Sequence, residues 1–286
     1  MQSWSINYVF GLTYIARNGD GAKHMSWWGK LAGGGIGLML GGPLGGMLGA
    51  VLGHQVDKAK KLKMGFDPGS QERAQAAFFT ATFSVMGHIA KADGQVSQQE
   101  IQVAESIFNH MNFQPEQRTA AIELFNKGKQ DDFDLQEVLS QFKQECGRKI
   151  TLIQMFMQIQ LQAVYADGSK HPQEARILKE ICDALGYPAA MLSQLEAMLF
   201  SQQQSYSGGS RQAPSQNDIA NAYSILGLKE GATEAEVKKA YRRLMSQHHP
   251  DKLISKGLPE EMIQIATDKS KQIQKAYELI KQTAKS

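Results

Sequence analysis

The sequence predicts an all-α protein with a single N-terminal transmembrane helix, a middle helical bundle and a C-terminal helical hairpin. One long segment has no charged residue, apolar residues elsewhere recur at helical spacing, and no segment alternates apolar and polar residues as strands do. The predicted units are an N-terminal non-cytoplasmic segment (1–30), a transmembrane helix (31–53), a basic juxtamembrane segment (54–70), a helical domain (71–200), a flexible linker (201–216) and a helical hairpin (217–286).

Length and composition exclude several classes of function. A chain of 286 residues is long enough for two or three small units, each with its own core. The 31 Lys and Arg residues nearly balance the 28 Asp and Glu residues, so the net charge of +3 gives no reason to expect nucleic-acid binding. Cys146 and Cys182 match neither a disulfide framework nor a CxxC metal motif. We expect reduced thiols in a cytosolic domain, and a pairing of the two stays open.

Residues 31–53 are predicted to cross a membrane. At a rise of about 1.5 Å per residue, a helix of this length spans a hydrocarbon core of roughly 30 Å. The alternatives are a glycine-rich loop or a cleaved signal peptide, although a signal peptide has a shorter apolar stretch. Trp27 and Trp28 suit the membrane interface just before the span. Four lysines after the span place the C-terminal side in the cytoplasm by the positive-inside rule: Lys58, Lys60, Lys61 and Lys63.

Glycines inside this span recur at every fourth position. On a helix they form one slowly drifting stripe, along which two backbones can approach closely. The stripe consists of Gly33, Gly37, Gly41, Gly45, Gly49 and Gly53. The spacing therefore predicts that the protein pairs with itself in the membrane as a homodimer.

The middle domain contains one segment that is apolar on nearly every face, Ile150 to Ala166. A second membrane span is one interpretation, but the segment is interrupted by several glutamines, which are costly in lipid. A central helix buried by its neighbours is the favoured interpretation.

A short repeat occurs twice in this domain, at Lys91–Glu100 and Tyr165–Glu174, each copy containing Ala-Asp-Gly followed by Glu. One interpretation is structural, since Asp-Gly makes a turn, Ser97 with Glu100 forms a capping box, and Pro172 suits the first helical position. The other is a cation site, although the spacing is too short for an EF-hand loop. The carboxylates that would form it are Asp93, Glu100, Asp167 and Glu174.

This double motif in a helical domain resembles the TerB-like family, named from tellurite-resistance proteins. The resemblance implies a compact helical bundle with an acidic site suited to a metal or another ligand. After it, residues 201–216 are polar and rich in Gly, Ser and Gln, a composition typical of a flexible linker.

The last unit has the pattern of a short helix followed by two long ones. The short helix is predicted at Asn221–Leu228, and Gly231 then breaks the chain. Thr233 and Glu236 predict a capping box for the next helix, which must end before Pro250. That helix has an apolar stripe of Val237, Ala240, Tyr241 and Leu244. The last helix is predicted from about Pro259 to Thr283, with apolar residues Met262, Ile265, Ile273, Ala276, Tyr277 and Ile280.

The stretch SQHHPDKL, Ser246 to Leu253, joins the two long helices. A zinc site is disfavoured, because neighbouring His248 and His249 diverge at a helix end and have no partner at ligand spacing. A His–Asp catalytic pair would need a nucleophile and an oxyanion site, and the sequence shows neither. A plain Pro-Asp turn and a recognition motif remain, and recognition is favoured.

The motifs AYSILGL, VKKAYRRL, HHPDK and KAYELI occur in this order across the unit, which resembles a J-domain. The resemblance implies a co-chaperone that binds a DnaK-type chaperone and stimulates its ATP hydrolysis, without a cofactor or catalytic residues of its own. The residues that would contact the chaperone are the basic face of Lys238, Lys239, Arg242 and Arg243 and the motif His249, Pro250 and Asp251.

The combination of the four units resembles the membrane-anchored DnaJ-like co-chaperones of Gram-negative bacteria, which implies a single-pass protein of the inner membrane. Residues 1–24 have no counterpart there, and the chain starts at Met1 or at Met25. The Gly/Phe-rich region and the CxxCxGxG repeats of full DnaJ proteins are missing, so we expect the middle domain to choose the client, which the sequence does not identify. The alternative function is a membrane-anchored metal- or stress-sensing adaptor that acts through the acidic TerB-like site.

Overall fold

The computed structural model of the chain describes residues 40–56, 69–92, 111, 113–165, 170–206, 216–259 and 262–284. These residues form helices and turns without a strand, which confirms the predicted all-α class. The helices are α1 (Gly42–Val56), α2 (Ser70–Ala90), α3 (Pro115–Gly128), α4 (Leu135–Cys146), α5 (Ile150–Val164), α6 (Pro172–Leu185), α7 (Ala189–Tyr206), α8 (Gln216–Leu226), α9 (Glu234–His248), α10 (Pro250–Ser255) and α11 (Ile263–Thr283). Helices α2–α7 form the bundle, and α8–α11 form the C-terminal hairpin.

Helix α2 is the centre of the bundle. Every residue from Ala74 to Gly87 is buried, and the helix packs against α1, α3, α4, α5 and α6. Small residues let these neighbours approach, while its phenylalanines fill the spaces between them. The rings of Phe79 and Phe83 meet edge to face at 4.9 Å, and Phe113 contacts both.

The predicted central helix is confirmed as α5, which is buried along nearly its whole length. Phe156 on this helix contacts Phe142 of α4 with ring centroids 4.7 Å apart. Its buried glutamines pack among protein groups rather than lipid, and Gln160 Nε2 donates a hydrogen bond of 3.0 Å to the Thr82 carbonyl oxygen of α2. This bond satisfies the amide nitrogen of Gln160, one of the glutamines that would make a membrane location of α5 costly.

Helix α1 corresponds to only part of the predicted transmembrane span, because residues 31–39 of that span lie outside the described residues. The described part of the chain contains no helix whose length and apolar character would suffice to cross a membrane. Gly41 and Gly42 have φ angles of +60° and +58°, so the chain changes direction where the prediction had a continuous helix. From there α1 packs on α2, α3 and α4, with Leu44 and Leu48 fully buried.

The C-terminal hairpin agrees with the prediction in its capping and in most of its core, whereas Met262 and Ile265 of the predicted stripe pack in the core of the bundle. Thr233 Oγ1 accepts a hydrogen bond from the Glu236 amide, and Glu236 Oε2 accepts one of 2.8 Å from the Thr233 amide, so the predicted capping box is confirmed. Tyr241 stacks on Tyr277 at 4.2 Å. The hairpin core consists of Ala222, Leu226, Val237, Ala240, Leu244, Ile273, Ala276 and Ile280.

The helix boundaries differ from the prediction at four points. Helix α8 begins at Gln216 rather than Asn221 and ends at Leu226 rather than Leu228. Helix α7 runs to Tyr206, into the segment predicted as a linker, because residues 201–206 contain no glycine or proline to end it. Residues 207–215 lie outside the described residues. The last helix begins at Ile263 rather than near Pro259, and the short helix α10 was not predicted. It starts at Pro250, whose fixed φ suits the first helical position.

A close approach between α2 and α3 provides a test of this packing. A methyl group on Gly87 would overlap the Phe125 carbonyl, which is backbone and cannot turn away. We therefore expect Gly87→Ala to lower the free energy of unfolding by about 2–4 kcal/mol in urea denaturation. This is at or above the usual cost of adding a methyl group to a packed core, because the obstructing atom is backbone. Gly46→Ala is the control, because a methyl group there meets no atom within 4 Å. Equal stability of the two variants would contradict this packing.

Candidate functional site

The turn between α9 and α10 contains the predicted recognition motif. His249 is extended, with φ −65° and ψ 127°, and Pro250 opens α10. The Asp251 amide donates a hydrogen bond of 3.3 Å to His249 Nδ1, which holds the imidazole against its own turn. Lys252 Nζ closes the turn with a 2.8 Å hydrogen bond to Ser246 Oγ. The motif is thus ordered by local bonds and stays exposed: 47% of the His249 side chain and 87% of the Asp251 side chain are accessible.

The predicted basic face lies on α9 beside this turn. Its four cations are all exposed: Lys238, Lys239, Arg242 and Arg243. Residues four apart on a helix are neighbours, so the four side chains form two adjacent pairs. Within the described residues none of the four has an ion-pair partner. Their positive field is therefore directed at solvent, which suits the attraction of an acidic surface.

The opposite side of the C-terminal hairpin is docked on the bundle. Gln71 Nε2 of α2 donates a hydrogen bond of 3.1 Å to the Ile254 carbonyl oxygen. Gly257 lies so close to α2 that a methyl group on it would be 3.0 Å from Ala74 Cβ. Five buried residues of the hairpin belong to the bundle's core rather than to its own: Leu253, Leu258, Met262, Ile265 and Ala266. The hairpin therefore has two apolar faces. Docking on the second leaves the basic face and the motif exposed, with Arg243 at the edge that borders Gln194 and Met198 of α7.

Two basic side chains are buried where the C-terminal hairpin contacts the bundle, Lys269 and His248. Lys269 is 5% exposed, and its Nζ is 3.2 Å from Met198 Sδ of α7. Burial lowers the pKa of Lys269 from 10.5 to about 8. Burial, and then the charge of Lys269, lowers the pKa of His248 to about 3, so His248 is neutral near pH 7. Its carbonyl oxygen accepts a hydrogen bond of 2.8 Å from Ser270 Oγ.

The predicted acidic site is described only at Glu174. Its Oε2 accepts a hydrogen bond of 2.9 Å from the His171 amide, and Pro172 opens α6, as was predicted for Pro172. The predicted Ser97–Glu100 capping box lies outside the described residues. Asp93, Glu100 and Asp167 lie outside the described residues. Among the residues that the structure does describe, no three His, Cys, Asp or Glu side chains are grouped as a metal site.

The two cysteines are free and buried. Burial raises the pKa of the Cys146 thiol to about 12 and that of the Cys182 thiol to about 11. Both are therefore protonated thiols near pH 7, which makes them poor nucleophiles and poor metal ligands.

The glycine stripe is described in part. Gly33 and Gly37 lie outside the described residues, and Gly53 is described only as part of the backbone of α1. Gly45 is buried, whereas a methyl group on Gly41 or Gly49 would meet no atom within 4 Å. The described glycines therefore leave two positions of the stripe open to a partner helix.

The chain is similar to known bacterial proteins over nearly their whole length. The "Co-chaperone protein DjlA" of Vibrio cholerae is 45% identical over 274 residues, which cover 88% of this chain and 96% of the relative. The protein of the same description from Photobacterium profundum is 43% identical, covering 89% and 98% of the two chains. The one from Escherichia coli K12 is 42% identical, covering 90% and 98%. This chain belongs to the DjlA co-chaperone family.

Family matches follow the order of units expected in a DjlA protein. Residues 25–72 match the family "Co-chaperone DjlA transmembrane domain", residues 79–197 match "Tellurite resistance protein TerB", and residues 221–286 match "DnaJ domain". The chain is thus a membrane-anchored J-domain co-chaperone, and its C-terminal hairpin is the J-domain. No solved structure is significantly similar to the chain.

Sequence reasoning missed Lys269, although a signal was present. Lys269 lies four residues after Ile265 and four before Ile273, so it occupies the apolar stripe of α11. A lysine in such a stripe usually extends its amine to solvent at the edge of the core. Here the bundle covers that edge, and the amine becomes buried.

Docking of the J-domain is expected to strengthen with pH because of Lys269. Its pKa is depressed in the docked state, so the docked state binds fewer protons and gains stability as pH rises from 8 towards 10.5. Urea denaturation should show wild type gaining about 1 kcal/mol between pH 7 and pH 9 relative to Lys269→Met. At pH 7 the variant should be more stable than wild type by about 1–3 kcal/mol.

Lys271→Met is the matched control, since Lys271 is exposed on the same helix. It should change stability by less than about 0.5 kcal/mol and keep the wild-type pH dependence. His248 is neutral in the folded state between pH 7 and pH 9 and is present in all three proteins, so its contribution cancels in this comparison. A Lys269→Met variant that is destabilised, or that keeps the pH dependence, would contradict the burial of a cation here.

Proposed function

We propose that this co-chaperone stimulates the ATPase of a DnaK-type chaperone through its J-domain. The observation that carries the proposal is the exposed basic face of α9, continuous with the ordered and exposed turn at His249, Pro250 and Asp251. The protein performs no chemistry of its own in this role. It lowers the barrier to hydrolysis in its partner.

The two parts of this surface suit successive steps of an encounter. Lys238, Arg242 and their neighbours attract an acidic patch on the chaperone, and this attraction is dispersed, fast and weakened by salt. The turn then supplies the specific contact. Because Pro250 and the hydrogen bond to His249 Nδ1 already restrict it, little conformational entropy is lost on docking.

We propose further that the J-domain acts from the cytoplasmic side of the bacterial inner membrane, on clients near the membrane. The transmembrane match over residues 25–72 and the four lysines that follow residue 53 support a single pass with the C-terminal units in the cytoplasm. An anchored J-domain has a high local concentration for membrane proteins, which favours them as clients.

Self-association in the membrane is part of the same proposal. The stripe of Gly33, Gly37, Gly41, Gly45, Gly49 and Gly53 would let two spans pack with close backbones. A homodimer would present two J-domains at one place on the membrane.

The first test is single-turnover ATP hydrolysis by a bacterial DnaK with the full chain added. We expect His249→Gln to reduce the stimulation by at least about tenfold, because the exposed imidazole lies at the centre of the specific contact. His171→Gln, which changes an exposed histidine of the bundle, should stimulate like wild type. A His249→Gln protein that stimulates fully would refute the assignment of this turn.

A second test concerns pairing through the glycines. Gly41→Leu and Gly45→Leu place large side chains on the stripe, so each should reduce self-association severalfold in a membrane two-hybrid reporter. Gly46→Leu lies beside the stripe and should leave the reporter signal near wild type. Unchanged pairing in the Gly41 and Gly45 variants would argue that the spans associate through another face or not at all.

A further inference from the structure

Helix α1 lies on the bundle as a ligand helix lies in a groove. Leu44, Leu48, Val51 and Leu52 are all buried against α2, α3 and α4. These positions follow the i, i+4, i+7, i+8 spacing of a single helix face, which is the usual pattern of helix-in-groove recognition. On the opposite face, methyl groups on Gly46 or Gly49 would meet no atom within 4 Å.

Gln141 of α4 recognises the start of α1 through backbone atoms alone. Its Oε1 accepts a hydrogen bond of 2.8 Å from the Leu44 amide. Its Nε2 donates to the carbonyl oxygens of Leu40 and Gly41, at 3.0 and 2.7 Å. Every helix has unpaired amides in its first turn, so the bond to the Leu44 amide is available to other helices as well. The carbonyl contacts depend on the turn at Gly41 and Gly42, because both have positive φ and a methyl group on Gly42 would lie 2.8 Å from Gln141 Oε1.

A cavity of about 290 Å³ lies beside α1, at the flank that contains Gly46, Met47 and Ala50. Its wall on the bundle side combines two apolar residues with polar and charged ones: Phe133, Val138, Lys127, Gln130, Asp132, Asp134 and Glu137. None of the four buried residues of α1 lines this cavity, so the apolar seat of α1 is filled and the cavity is a separate, more polar space next to it.

The same segment cannot occupy the groove and the membrane at once. Helix α1 lies inside the region that matches a transmembrane domain, residues 25–72. In the groove, Gly41 and Gly42 have positive φ, which interrupts a continuous span. Glycine adopts helical and left-handed geometry with similar ease, so the segment can straighten when it enters the bilayer. Insertion then leaves the groove uncovered next to the membrane.

We propose that the groove of α2, α3 and α4 binds apolar, transmembrane-type helices of client membrane proteins, and that α1 is its occupant when it is outside the bilayer. This inference deepens the proposed function, since it names the class of client that the bundle presents to the J-domain's partner chaperone. The ligand needs a continuous apolar helix face and a free first turn. It also needs a small residue just before that turn, because a methyl group at Gly42 would lie 2.8 Å from Gln141 Oε1.

The test uses the full chain with the photoreactive residue p-benzoylphenylalanine in place of Glu137, an exposed residue at the edge of the cavity. Without lipid, illumination should link this position to residues 40–56 of the same chain. In vesicles of phosphatidylcholine and phosphatidylglycerol, that internal product should fall at least fivefold. A biotinylated synthetic peptide with the sequence of residues 40–56 should then be captured in its place.

Variants of the protein rather than of the peptide provide the controls, because all of them meet the same peptide in the same vesicles. Gln141→Ala removes the contacts to the helix start and should reduce capture about tenfold. Gln144→Ala, an exposed change on the same helix, should leave capture unchanged. Circular dichroism and thermal unfolding verify that both variants are folded.

Three results would overturn the inference: an internal product that persists in vesicles, a vacated groove that captures no peptide, and equal capture by the Gln141→Ala protein. Stimulation of DnaK ATP hydrolysis by the same preparation reports on the J-domain separately. Intact stimulation without peptide capture would remove helix binding and leave the co-chaperone function standing. Loss of stimulation with intact capture would remove the proposed co-chaperone function and leave helix binding standing.

Discussion

The burial of α2 is the constraint on which the other parts of the molecule depend. From Ala74 to Gly87 this helix has no exposed residue, so each of its faces must be covered by another element. Its C-terminal half accepts α3 through Gly87, its phenylalanines hold α4 and α5, and its N-terminal end contacts the J-domain through Gln71 and Ala74. Helix α1 covers a further part. A buried helix with small residues can support this many neighbours because backbones approach closely wherever a side chain is short.

The J-domain contacts the bundle through one of its faces. Its own core is complete without the bundle, yet Leu253, Leu258 and Met262 belong to the bundle's core. The side with the basic residues and the His249 turn is left to solvent, so a partner can reach it without displacing the bundle. Lys269 sets a limit to this attachment, because a buried cation without an acidic partner among the described residues weakens the interface that buries it. The contact is therefore close in geometry, and the burial of Lys269 opposes it.

The N-terminal apolar segment connects the membrane to the bundle. Its glycines permit close packing against a second span in lipid, and its leucines pack against α2, α3 and α4 outside lipid. One segment can serve both environments because glycine leaves its backbone free to bend at Gly41 and Gly42. The membrane state of the protein and the accessibility of the bundle are coupled by this competition.

The sequence by itself determined the fold class, the order of the three matched domains and the residues of the proposed recognition surface. Those features rest on local rules: the charge-free run, the Thr233–Glu236 box, the termination before Pro250 and the four-residue spacing of the cations all act within one or two helical turns. Only the tertiary structure decided which apolar face meets which neighbour. Ile265 and Ile273 look alike on the stripe of α11, yet one joins the bundle and the other the core of the J-domain, with Lys269 trapped between them. Hydrophobic burial is not directional, so periodicity shows that a face is covered and cannot show by what.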